Sequence, residues 1–284
     1  MEFGLGLPTT VLDKDGPALA AWARRAEEAG FGSLGVIDRL VYDNFESLTS
    51  LAAAAAVTER VRLTTGILIA PYRTQTALLA KQAATVSALS GGRLVLGVAA
   101  GGREDDYQAV DAPYHDRGRR LDLQLAELRE TWQGKGPVPG IGPQLPAGQP
   151  PLLVGGHSPA AMRRAARLGD GWFCGGSSAT GYGELVERLR QAWAAEGRTD
   201  RPRLVSLTYA ALGPGAKELA QEYLGDYYSF AGPVAQRIAS MAITDRQALV
   251  DLAQGYAEIG CDELILMPCS ADPRQLESLA EAVL

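Results

Sequence analysis

Three pairs of glycine each follow a short apolar run of the sequence, at Gly101–Gly102, Gly155–Gly156 and Gly175–Gly176. Glycine lets a backbone approach a ligand closely and adopt positive φ. After the second pair come His157, Ser158 and a proline, the pattern of a serine N-cap at a helix start, where amides and the helix dipole bind anions. We therefore predict that the three pairs bind one anionic ligand beside Ser158 and His157. Tight turns with an ordinary serine cap are the alternative.

Further polar side chains follow other apolar runs. Asp38 and Arg39 stand directly after the second run, where Arg39 suits a phosphate or a polar ring edge and Asp38 can accept a hydrogen bond from it. Arg103 follows the first glycine pair and suits the same anion, and Tyr72 follows a proline at another strand end. Asp38, Arg39, Tyr72 and His157 are thus the candidate catalytic residues. Ion pairs within turns and simple aromatic packing are the alternatives.

The composition argues against several classes of protein. The net charge is −6, whereas a nucleic-acid-binding protein usually has a basic face. No apolar run approaches the ~20 residues of a membrane span, and no leader-like segment opens the chain, so we expect a cytoplasmic protein. Two histidines and three scattered cysteines give no pattern for a metal site. The glycine pairs form neither a dinucleotide-binding motif nor a P-loop.

Short apolar runs alternate with segments of helical periodicity along the whole chain. The runs lack polar alternation, which is typical of parallel strands buried on both faces. Eight strand–helix units of about 35 residues each account for the 284 residues, so we predict a single (β/α)8 TIM barrel over residues 1–284, with a doubly wound open sheet as the alternative. The predicted strands are 3–7, 34–37, 61–70, 94–99, 152–154, 172–174, 204–212 and 263–267.

Two local features interrupt this pattern. Gly66–Ile67 lies inside the third predicted strand, where an interior glycine indicates a bulge or a close backbone approach. Residues 134–151, between the fourth and fifth strands, are dense in glycine and proline and cannot form a regular helix or a central strand. We expect a long loop there, and long loops in compact domains are often functional or mobile.

The run LAKQAATVSALSGGRLVLGV at 79–98 resembles the luciferase-like monooxygenase superfamily. Further matching segments cover nearly the whole chain: 27–31, 151–159, 168–172 and 260–266. The resemblance implies a (β/α)8 barrel with a short insertion after strand 4. It also implies a cofactor, either FMN or the deazaflavin F420, bound at the carboxyl ends of the strands.

The same resemblance assigns roles to the candidate residues by position. Asp38–Arg39 matches the pair that meets the cofactor ring, and Gly66–Ile67 matches a strand bulge with a non-proline cis peptide that supports the ring face. Gly101–Arg103 and Gly155–Ser158 match the phosphate side, and Gly175–Gly176 matches a third wall. F420-dependent members often have histidine where this chain has Arg39.

Three functions stay open at this point. The first is an F420-dependent oxidoreductase that transfers a hydride between the deazaflavin and a small organic substrate. The second is a two-component FMN monooxygenase, which uses O2 and reduced flavin from a partner reductase. The third is a flavin-binding barrel without turnover. The resemblance also implies a homodimer, for which the Ala-rich helix 48–57 permits close packing, and the short insertion at 134–151 implies a fairly open pocket.

Overall fold

Parallel strands form a closed barrel in the computed structural model, which describes all 284 residues. Every neighbouring pair of strands is parallel, and the first strand pairs with the last. The strands are β1 Glu2–Gly6, β2 Ser33–Val36, β3 Arg62–Thr65, β4 Leu68–Ile69, β5 Leu94–Ala99, β6 Leu152–Gly155, β7 Gly171–Cys174, β8 Arg203–Ala210 and β9 Glu263–Pro268.

The third strand position of the barrel is interrupted. Both β3 and β4 pair with β5, so they are two halves of one strand separated by Gly66–Ile67. The barrel therefore has eight strand positions, and the predicted (β/α)8 fold is confirmed. The predicted bulge is also present, at the predicted residues.

Eleven α-helices connect or follow the strands. Most were predicted, but α4 and α9 were not, because they are short, with five and eight residues. None of them contains a stretch long and apolar enough to cross a bilayer. The helices are α1 Gly16–Ala29, α2 Ser47–Ala55, α3 Thr76–Leu89, α4 Glu104–Gln108, α5 Arg117–Trp132, α6 Pro159–Leu168, α7 Ala179–Ala195, α8 Ala216–Tyr227, α9 Pro233–Ser240, α10 Arg246–Ile259 and α11 Pro273–Val283.

Both faces of the strands are buried, which explains why their sequences lack polar alternation. In β9, Leu264 and Leu266 belong to the large apolar core between the barrel and its helices. Ile265 and Met267 belong to a second apolar cluster, which includes Val205 from β8 and fills the barrel interior. Successive side chains of one strand thus enter two different cores, and both cores are apolar.

The loop at 134–151 lies at the amino-terminal face of the barrel, opposite the carboxyl ends of the strands. It contains no helix or strand, as predicted, and it leads from α5 into the amino-terminal end of β6. Its Gly142 carbonyl accepts a hydrogen bond from Lys81, and its Ala147 packs beside Gly92, before β5. The expectation that the length of this loop sets how open the pocket is was therefore wrong, because αβ loops lie at the amino-terminal face.

A buried carboxylate organises this amino-terminal face. The Glu263 side chain is 1% exposed and accepts hydrogen bonds from Ser33, Arg62 and Arg203. Glu2 pairs with the same Arg62, but its side chain is 59% exposed. The two carboxylates thus offer a buried and an exposed partner of one guanidinium group.

We expect Glu263→Gln to lower the free energy of unfolding by about 2 kcal/mol, because Arg203 loses its counter-charge and Arg62 keeps only the exposed Glu2. Glu2→Gln is the matched control, with an expected change within about 0.5 kcal/mol. Urea denaturation at pH 7 measures both values. Equal losses in the two variants would contradict the assignment of Glu263 as the organising group.

Candidate functional site

Two adjoining cavities open at the carboxyl ends of the strands, where active sites of this fold lie. The glycine cavity, of about 640 Å³, is lined by Gly101, Gly155–Ser158, Arg117 and Arg164 among others. The tyrosine cavity, of about 800 Å³, is lined largely by apolar residues and by three tyrosines. A third cavity, of about 690 Å³, lies at the amino-terminal face among paired arginines and acids, away from the strand ends. The residues that line both of the first two cavities are Gly66, Ile67, Ile69, His157, Gly175 and Leu207.

The interrupted strand forms the wall that the two cavities share. The Gly66–Ile67 peptide is cis, as the resemblance implied. A Cβ atom on Gly66 would lie 2.5 Å from the ring of Phe173, and one on Gly155 would lie 2.1 Å from Cδ1 of Ile67. A side chain at Gly66 would therefore have to displace the Phe173 ring, and one at Gly155 would have to turn the end of the Ile67 side chain away from its present place.

At two of the three glycine pairs, the backbone of the glycine cavity has the features predicted for an anion site. Gly101 has φ of +70° and Gly156 has φ of +123°. Ser158 is the N-cap of α6, and its hydroxyl accepts a hydrogen bond from the amide of Ala161 at 3.2 Å. Gly102 does not line either cavity, and Gly175–Gly176 line the walls without positive φ.

Two arginines in the glycine cavity were missed by the sequence interpretation. Arg117 is the first residue of α5, and Arg164 lies in the middle of α6 with no local motif. Arg117 donates from Nε to the Gly101 carbonyl at 3.0 Å, and Arg164 donates from Nε to Asp122 at 2.6 Å. Each guanidinium keeps one terminal amino group without a protein partner. Only the packing of α5 beside α6 brings these two cations together at the cavity.

Asp38 is at the centre of a buried hydrogen-bond network. Its Oδ1 accepts from Ser47 and Arg73, and its Oδ2 accepts from Tyr72, Arg73 and the amide of Ile69. Burial favours the neutral acid, but the charge and hydrogen bonds of Arg73, with those of Ile69 and Tyr72, outweigh it, so the pKa of Asp38 lies below its usual value of 3.8. Asp38 lines the tyrosine cavity, but both of its carboxylate oxygens already accept hydrogen bonds from the protein. It is therefore a positioning residue.

Tyr72 lies outside both cavities. Its hydroxyl donates to Asp38 at 2.7 Å, and its ring is 4% exposed and packs edge-on against Tyr107. Tyr72 is therefore an aromatic residue packed inside the protein, which is the alternative named from the sequence, and it does not lie where a substrate could contact it.

Arg39 and Arg103 also do not line either cavity. Arg39 donates to the carbonyls of Tyr227 and Val41. Arg103 pairs with Asp105 and its guanidinium lies 3.6 Å from the centre of the Phe230 ring. Both arginines fasten the segment after α8 to the barrel rim, which corrects the expectation that they contact the anion directly.

His157 lies between the two cavities and lines both. Its Nε2 is 3.5 Å from the sulfur of Cys174. The preceding Gly156 carbonyl accepts a hydrogen bond from the indole of Trp172 at 2.9 Å, which fixes the loop that carries the ring. Burial lowers the pKa of His157 below 6.5, so the ring is neutral at pH 7.

The sequence profile described as luciferase-like monooxygenase matches residues 1–262. The chain belongs to the luciferase-like monooxygenase family. Among curated luciferase-like relatives, an uncharacterized protein of Mycobacterium tuberculosis is 32% identical over 208 residues, covering 62% of this chain and 72% of the relative. The FMNH(2)-dependent dimethylsulfone monooxygenase of Pseudomonas putida is 29% identical over 209 residues, covering 67% of this chain but only 55% of the relative.

Solved structures share the whole fold of this luciferase-like protein. An F420-dependent secondary alcohol dehydrogenase, in complex with an F420–acetone adduct, matches with a TM-score of 0.82 over 99% of this chain and 98% of that one, at 18% identity. Monooxygenase RslO1 from Streptomyces bottropensis matches with a TM-score of 0.79 over 100% and 98%, at 22% identity. The family is an oxidoreductase family, and the cofactor differs between these similar proteins.

We expect Asp38→Asn to lower the free energy of unfolding by about 3 kcal/mol at pH 7, because it removes the counter-charge of Arg73 in a buried site. The folded-state pKa is depressed, so the stabilisation by Asp38 is present above pH 3.8 and is lost as the pH falls below it. Urea denaturation from pH 7 to pH 3 should therefore show the two proteins converging at acid pH. A difference in unfolding free energy between the unaltered protein and Asp38→Asn that does not depend on pH would count against the ion pair.

Proposed function

We propose that this luciferase-like protein is an F420-dependent oxidoreductase that transfers a hydride between the deazaflavin and a small organic substrate. The observation that carries the proposal is the meeting of two unlike cavities at Ile67. One is lined by free amides and arginines, and the other is lined mainly by apolar side chains. A cofactor with an anionic chain and a flat ring suits the first cavity and its shared wall, and the second remains for a substrate.

The residues present fit such a cofactor. The absence of a side chain at Gly155 leaves the space that Ile67 occupies, and Ile67 gives the shared wall an apolar surface on which a ring can lie. Gly156 and the start of α6 supply amides for a phosphate, and the free amino groups of Arg117 and Arg164 supply positive charge.

The distribution of arginines favours F420 over FMN. Both cofactors carry a phosphate, but F420 also carries a longer tail of carboxylates. Beside the two arginines of the cavity, α5 has Arg119 and α6 has Arg163, neither of which forms an ion pair. Both side chains are exposed on the helices that also carry Arg117 and Arg164, in a chain of net charge −6, and they suit an extended anion. FMN is the alternative, because the dimethylsulfone monooxygenase relative is FMNH(2)-dependent.

The chain itself supplies binding and orientation. When bound, F420 supplies two-electron hydride chemistry, whereas reduced flavin also activates O2. Asp38 holds the interrupted strand in place through the Ile69 amide, and the neutral His157 stands at the boundary of the two cavities within reach of molecules in either. The segment after α8 lines the tyrosine cavity with Tyr228, Ile238 and Ile243, among others.

Calorimetric titration of the cofactor-free chain tests the cofactor. We expect F420 to bind at least tenfold more tightly than FMN, because more cations face its longer anionic tail. Tight binding of FMN alone would favour the two-component monooxygenase. Binding of neither cofactor would refute the proposed function.

Arg164→Gln should weaken F420 binding about tenfold, because it removes a charge-assisted contact to the anionic part of the cofactor. Arg167→Gln on the same helix is the matched control, since Arg167 also pairs with Asp122 but does not line the cavity. The deazaflavin riboside, which lacks phosphate and tail, should bind both variants like the unaltered protein. A loss of riboside affinity in Arg164→Gln would indicate a distorted cavity instead of a lost ionic contact.

A further inference from the structure

Two tyrosine hydroxyls lie next to each other in the largely apolar wall of the tyrosine cavity. Tyr209 lies on β8 and Tyr228 directly follows α8, and their hydroxyl oxygens are 2.9 Å apart. Both residues are half-buried and line the cavity. Neither hydroxyl has any other hydrogen-bond partner in the protein.

The pair keeps one hydrogen available for a ligand. Two hydroxyl groups carry two hydrogens, and a bond between them uses one. Burial raises the pKa of both phenols above the ordinary value of 10, so both are protonated across the physiological range. The pair therefore acts as a hydrogen-bond donor toward a molecule in the cavity.

The surrounding structure fixes the pair in place. Ile243 donates from its amide to the carbonyl of Tyr209 at 2.9 Å, which joins the end of the α9 segment to β8. The Tyr209 ring packs edge-on against Tyr223, whose hydroxyl is 2.6 Å from that of Thr10. A donor held in this way selects for the position of an acceptor, because little conformational freedom is lost on binding.

The charges of the tyrosine cavity disfavour an anion. No lysine or arginine lines it, and its only charged side chains are the acids Asp38 and Asp251. Asp38 is neutralised by Arg73, and Asp251 accepts a hydrogen bond from Gln247. A carboxylate or phosphate placed here would lose its hydration without gaining a cation.

We propose that the Tyr209–Tyr228 pair anchors the substrate of this protein, and that the substrate is an uncharged, largely apolar molecule with a carbonyl or hydroxyl oxygen that accepts a hydrogen bond from the pair. The cavity volume of about 800 Å³ suits such a small molecule. This inference rests on the proposed function, because it assumes that the tyrosine cavity is the substrate side of the site.

Three probes of similar size test the inference on the full chain, with and without saturating F420. Acetophenone has an acceptor oxygen, ethylbenzene has none, and benzoate is an anion. Ligand-observed NMR titration should give the tightest binding for acetophenone, and benzoate should bind least. Stronger binding of benzoate, or equal binding of acetophenone and ethylbenzene, would overturn the inference without any variant.

The double variant Tyr209→Phe with Tyr228→Phe should lose about three- to tenfold in acetophenone affinity and leave ethylbenzene affinity unchanged. Tyr42→Phe is the matched control, because its hydroxyl bonds Asp226 and it does not line the cavity. If the pair had a purely structural role, the double variant would lose affinity for both probes equally, and that result would refute the anchor. Titration of the same preparations with F420 separates the two proposals. If the double variant still binds F420 and its ratio of acetophenone to ethylbenzene affinity equals that of the unaltered protein, only the tyrosine anchor is rejected.

Discussion

The site depends on two close contacts at the interrupted third strand, that of the Phe173 ring with Gly66 and that of Ile67 with Gly155. A Cβ atom added at either glycine would lie within 2.5 Å of the neighbouring side chain, which would have to move. The strand resumes where the Asp38 carboxylate accepts the Ile69 amide. A buried charge therefore holds the irregular backbone, and the wall common to both cavities results from this arrangement.

The two cavities differ because different elements supply their walls. The start of α6 brings amides to the glycine cavity, and the arginines come from the start of α5 and the middle of α6. The segment from Tyr227 to Ile243, with α10, brings aromatic and aliphatic side chains to the tyrosine cavity. Positively charged side chains thus line the cavity on one side of Ile67, and none lines the cavity on the other side. This asymmetry is the physical basis for assigning an anionic cofactor to one side and an uncharged molecule to the other.

The segment after α8 that lines the tyrosine cavity is fastened by side chains from distant loops. Arg39 binds the Tyr227 carbonyl, and Arg103 stacks on Phe230. Asp106 in turn accepts the amides of Leu40 and Val41, which ties the loop after β2 to α4. The two arginines expected to bind a ligand instead hold residues that border the tyrosine cavity.

The sequence by itself determined the eight-strand barrel, the interruption at Gly66–Ile67 and the N-cap at Ser158, because buried parallel strands, interior glycine and Ser-Pro caps are local signals. It also placed the glycine pairs at the strand ends. Only the tertiary structure decided the partners of long side chains. Asp38 and Arg39 are adjacent in sequence, yet Asp38 pairs with Arg73 and Arg39 reaches the segment after α8. Arg164 reaches its cavity because α6 packs beside α5, and Tyr228 meets Tyr209 of β8 because the segment after α8 returns to that strand. No local pattern encodes such contacts.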